Sequence, residues 1–123
     1  MEPNLETITD YLQISRLSKS MAPLLYALLS KMNLEGTIVV NAALKRHIGD
    51  DIDMSLGSID NMIGKMREEG VLERVDRGIY RPRAILLEIM RHEPPIEMTI
   101  IYGAEEKEIT IRGGNVHDTI KFY

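Results

Sequence analysis

Apolar positions change their spacing several times along this chain, and each change marks an element. Leu5, Ile8 and Leu12 recur at helical spacing, yet Ile8-Thr9-Asp10-Tyr11-Leu12 suits a strand equally well, so residues 1–19 are read only as a packing arm. Ser20 offers an N-cap and Pro23 falls in a first turn, where its missing N–H is harmless. Leu24, Leu25, Leu28, Leu29 and Met32 then form one broad stripe, which predicts a core helix ended by Asn33 and Gly36. Residues 37–40 (Thr-Ile-Val-Val) are β-branched and too few for a helix, so they predict a short strand.

Asn41 caps a predicted helix over 42–48, with Ala43, Leu44 and Ile48 inward and Gly49 as its left-handed stop. Residues 49–54 make a turn, and Ser55 caps a second helix. Leu56, Ile59, Ile63 and Met66 give that helix an inward stripe, and Gly70 closes it. At about 100° per residue the opposite face presents Gly57, Ser58, Asn61, Gly64, Lys65 and Glu68. Residues 71–75 alternate as a strand, Asp76-Arg77-Gly78 turns, residues 79–81 return, and Pro82 ends the ladder because it cannot donate.

Ile85, Leu86, Ile89 and Met90 predict a helix over 84–92 that needs a buried partner, and Glu93-Pro94-Pro95 breaks it. Three strand-like runs follow, 96–102, 107–112 and 116–123, separated by 103–106 and by Gly113-Gly114-Asn115. The fold class is therefore α+β: a winged helix-turn-helix with a C-terminal helix and a small antiparallel β-meander. Residues 1–83 are the expected winged-helix domain with its N-terminal arm. Residues 84–123 are an extension for packing or dimerisation, since so short a meander cannot hold a core alone.

Composition narrows the function. With no Trp, one Phe and 8 Met, aliphatic side chains must fill the core. There is no Cys, which removes disulfides, thiolate zinc sites and thiol nucleophiles. No apolar run reaches the roughly 20 residues of a membrane span, so a soluble, cytoplasmic protein is expected. His47, His92 and His117 lack metal-ligand spacing, and Asp50, Asp51 and Asp53 lack the distant Glu of a calcium loop. No nucleophile elbow or phosphate loop is present, so neither catalysis nor a cofactor is expected.

The net charge of −4 argues against nucleic acid, but its distribution matters more. Residues 1–40 hold three basic and four acidic side chains, 41–83 eight of each, and 84–123 four and seven. Most of the acidic excess thus lies outside the helix-turn-helix stretch. A winged helix usually lays its second helix in the DNA major groove. Gly57 and Gly64 would let that helix approach closely, Asn61 can pair bidentately with adenine, and Lys65 can reach guanine or phosphate. Ser55 and Ser58 can bond phosphate at the helix N-terminus, Lys45 and Arg46 as the first helix crosses the backbone. In the hairpin, Arg74, Arg77 and Arg81 are the candidates for phosphate or minor-groove contact; alternation forbids all of them sharing a face.

The segments MAPLLYALLSKM, TIVV and SIDNMIGKMREEGVLERVDRGIYRP, with Gly78, Tyr80 and Pro82 forming a G-x-Y return strand that ends near proline, resemble the RepL-type replication initiators of plasmids and phages. The resemblance runs from about Leu5 to Arg83 and departs after Ala84. It implies a winged helix, binding to double-stranded origin DNA and recruitment of host replication proteins. A transcriptional regulator with the same docking, and a protein–protein module without DNA, are the alternatives. Proteins of this kind commonly act as twofold dimers, and the 84–92 helix with the meander is the expected homodimer surface.

Overall fold

The computed structural model describes residues 3–91 and 95–122. It is mixed helix and sheet, with two three-stranded antiparallel sheets. The ambiguous opening is helix α1 (Pro3–Ile14), whose Ile8, Tyr11 and Leu12 are fully buried at i, i+3 and i+4. It is thus part of the core and not an appended arm. The helix closes with Leu17 N–H bonding Leu12 C=O at 2.8 Å and Arg16 N–H bonding Gln13 C=O at 3.1 Å. That closure holds Arg16 at φ 64°, where glycine is usual.

Ser20 does not cap the next helix. Ser18 instead caps a single 3₁₀ turn (Lys19–Met21) by accepting from Ser20 N–H at 3.2 Å. Helix α2 (Ala22–Leu29) then starts with Pro23 in its first turn and buries Leu24, Leu25, Leu28 and Leu29. Asn33 ends this stretch: its Oδ1 accepts from Glu35 N–H, Thr37 N–H and Thr37 Oγ1, all near 3 Å. Strand β1 is Ile38–Val39.

Helix α3 (Ala42–Ile52) begins as expected, with Asn41 Oδ1 accepting from Leu44 N–H at 2.8 Å. It does not stop at Gly49. The helix continues through this buried glycine, and Asp53 takes the left-handed conformation at φ 54°. A Cβ at Gly49 would stand 2.6 Å from Met54 O and 3.3 Å from Ile59 Cδ1. The glycine is there for close approach, so the connection to the next helix is three residues, 53–55. Ala43, expected inward, is exposed.

Helix α4 (Leu56–Glu68) is capped by Ser55 Oγ accepting from Ser58 N–H at 3.2 Å. Ile59, Ile63 and Met66 are buried, whereas Leu56, placed on the inward stripe by spacing, is 43% exposed in the first turn. Gly70, at φ 77°, closes the helix. Strands β2 (Leu72–Asp76) and β3 (Ile79–Pro82) pair Leu72 with Pro82, Glu73 with Arg81, and Arg74 with Tyr80. A bulge at Val75 lets Asp76 face Ile79 across the Arg77-Gly78 turn. β1 joins the free side of β3, giving the order β1-β3-β2.

Helix α5 (Ala84–Arg91) leads to strands β4 (Ile96–Tyr102), β5 (Lys107–Gly113) and β6 (Val116–Phe122), a meander in the order β4-β5-β6. His92, the breaker residues Glu93 and Pro94, and Tyr123 lie outside the described residues. The apolar side of α5 is used within the chain: Ile85, Leu86 and Ile89 are buried with Ile109 and Ile111 of β5. Gly113 lets the helix sit close, since a Cβ there would meet Glu88, Ile85 and Ile96. Arg83 clasps Asp118 of β6 through Nε at 2.5 Å and Nη2 at 3.1 Å, and Arg16 stacks 3.9 Å from the Phe122 ring centroid. One continuous apolar cluster runs from Ile8 on α1 to Ile111 on β5.

Candidate nucleic-acid interface

The buried stripe of α4 leaves its other side to solvent, and the structure brings the expected residues together there. Gly57, Ser58, Asn61 and Lys65 are exposed, with Gly64 half-exposed. Nothing lies within 4 Å of a Cβ built at Gly57 or at Gly64. Among the described residues no side chain therefore needs either glycine, in contrast to Gly49 one helix earlier. Asn61 and Lys65 have no side-chain partner among the described residues, and Glu68 shares their face. Ser55 and Ser58 are occupied locally: Ser55 Oγ accepts from Ser58 N–H and donates to Ser58 Oγ at 3.0 Å. Their first role is to hold the start of α4.

The basic residues divide by partner. Lys45 of α3 reaches Asp60 of α4 at 2.8 Å and ties the two helices together. Arg46, its neighbour, is exposed and has no partner among the described residues. His47 lies 3.5 Å from Asp51 one turn on. In the hairpin, paired residues share a face. Arg74 therefore stands with Tyr80, and Arg81 stands with Glu73 on the other face. Arg77 sits at the exposed tip, just after Asp76, whose Oδ1 accepts the Arg77 N–H at 2.7 Å. Arg83 belongs to packing through Asp118.

Among the described residues five exposed candidate cations thus have no side-chain partner: Arg46, Lys65, Arg74, Arg77 and Arg81, the last standing opposite Glu73 in the ladder. Arg67, in the last turn of α4, is a sixth and lies outside the face opposite the apolar stripe. Among the described residues no group of three or more His, Cys, Asp or Glu side chains could hold a metal ion. Among them, too, no helix is long and apolar enough to cross a membrane. The chain matches no protein-family model, no curated protein and no solved structure.

Proposed function

We propose that this chain is a winged helix-turn-helix protein that binds double-stranded DNA in a sequence-specific manner. In this reading α3, the 53–55 turn and α4 form the helix-turn-helix, and the β2–β3 hairpin is the wing. The observation that carries it is the open face of α4. A glycine inside a helix costs about 1 kcal/mol relative to alanine. Gly57 and Gly64 bracket Asn61 on one face, and no internal contact accounts for either. A surface approaching from outside the chain does account for them.

In the major groove Asn61 pairs with adenine and Lys65 reaches guanine or phosphate. Arg46 and Arg77 bracket the helix on the backbone, with Arg74 on the first strand of the wing. Lys45 and Arg81 contribute less, because acids already face them. The resemblance to RepL-type initiators supports replication of a plasmid or phage as the setting, with host replication proteins as further partners; a transcriptional regulator would dock in the same way. No catalytic step is required of either.

The acidic side chains of 41–83, equal in number to the basic ones, favour a second reading as a protein-binding module. Recovery of bound fragments from genomic DNA, followed by titration against salt, separates the two. DNA binding should weaken steeply with salt, by about 0.9 in log–log slope per phosphate contact. Asn61→Ala and Lys65→Ala should each lose specific binding. If neither variant changes affinity for the recovered fragment, α4 is not the recognition helix.

A further inference from the structure

The meander ends in two edges of opposite character. On the β6 edge, Asp118 and Lys121 supply charge, and α1 and the hairpin hold the strand through Arg16 and Arg83. The β4 edge has none of this. It pairs with β5 over seven consecutive positions without a bulge, and its only charge is Glu97, which lies beside Arg112. An edge strand presents a row of unpaired N–H and C=O groups, and monomers guard such edges with lysine, proline or bulges. β4 has none of these guards.

The far half of its side chains is uncovered as well. Ile96, Met98, Ile100 and Tyr102 lie on the face that α5 covers; α5 packs chiefly on β5 and β6, and of these four Ile96 and Met98 are half-buried against the core. Ile100 is 40% exposed and Tyr102 76%, and Ile101 on the opposite face is 54% exposed.

We propose that β4 is the dimerisation edge of this protein. Two copies pair β4 with β4 antiparallel about a twofold axis through Thr99, joining two three-stranded meanders into one six-stranded sheet. The occupant is a second copy because the strand is complementary to itself. Thr99 is the midpoint of Ile96–Tyr102, so only this centre pairs every residue of the strand. Ile96 then faces the partner's Tyr102, and Met98 faces the partner's Ile100, which extends the apolar layer across the axis. Glu97 faces the partner's Ile101, so no like charges oppose each other. A register centred on Glu97 would set that carboxylate against its own copy, which is destabilising.

The interface concerns β4 alone and is read by mass without DNA, so it stands or falls separately from the α4 reading. The chain has no Cys, so one introduced thiol reports the register. Sedimentation equilibrium should give a dimer, and Thr99→Cys should oxidise to a covalent dimer. Glu97→Cys, four positions from its own copy, should not. Thr99→Lys and Thr99→Asp should each weaken self-association by roughly fivefold or more, because a residue on the axis meets its own charge. Ile101→Glu, facing Glu97, should also dissociate the pair, whereas Ile101→Lys should keep it. Retained circular dichroism melts show that each variant is folded. A monomer at every concentration overturns the proposal and leaves the edge to a foreign strand. Equal effects of Lys and Glu at 101, or equal cross-linking at 97 and 99, overturn this register.

Discussion

Three glycines in two adjacent helices do different work, and substitution separates them. Gly57→Ala and Gly64→Ala meet open space, so Gly64→Ala inside the helix should raise stability by about 1 kcal/mol in urea unfolding, and Gly57→Ala in the first turn by less. On the proposed function each should also weaken DNA binding. Gly49→Ala should do the reverse to stability, because its Cβ would press on the Met54 carbonyl. Tyr11 offers a pH test. Burial raises its phenol above the ordinary value; Arg83 opposes the shift and Asp118 adds to it. The folded state therefore keeps a proton that the unfolded chain releases near pH 10. The stability this contributes is complete below about pH 10 and is lost as pH rises from there through the folded value. Tyr11→Phe should flatten that alkaline fall in a stability–pH series, and an unchanged fall would assign it to another group.

Elements differ in how much of them the sequence reveals. The stripes of α2 and α4, the Arg77-Gly78 turn and the meander were legible because local periodicity and turn chemistry agree there. At Gly49 the local rule failed: glycine after an apolar residue reads as a stop, but packing against Met54 and Ile59 requires it inside the helix. Ser18 and Ser20 are chemically equivalent caps, and only the 3₁₀ turn distinguishes them. The open face of α4 was legible as the complement of its stripe. The partners of the cations were not, because Lys45–Asp60 and Arg83–Asp118 span 15 and 35 residues. The hairpin register makes the wing testable. On the proposed function Arg77 at the tip supplies one phosphate contact, so Arg77→Ala should reduce the salt slope of DNA binding by about 1. Arg81→Ala, at a position facing Glu73, should leave the slope unchanged. The reverse result would turn the other face of the hairpin toward DNA.

At the scale of the whole molecule, the meander is joined to the rest by more than the α5 connection. The apolar cluster is continuous from α1 to β5, and the Arg83–Asp118 pair and the Arg16–Phe122 stack bridge the two parts at their rim. A shared core predicts one cooperative unfolding transition for the full chain. The Arg83–Asp118 pair is partly buried, between an exposed pair worth under about 1 kcal/mol and a buried one whose breaking costs about 3–5 kcal/mol. Asp118→Ala should therefore lower stability by about 2 kcal/mol and leave Arg83 facing Tyr11 without its acid. The loss should shift the whole transition, with helix and sheet signals moving together. Two separated transitions in this variant would show that the meander unfolds alone, and that the rim contacts rather than the shared core couple it to the helices.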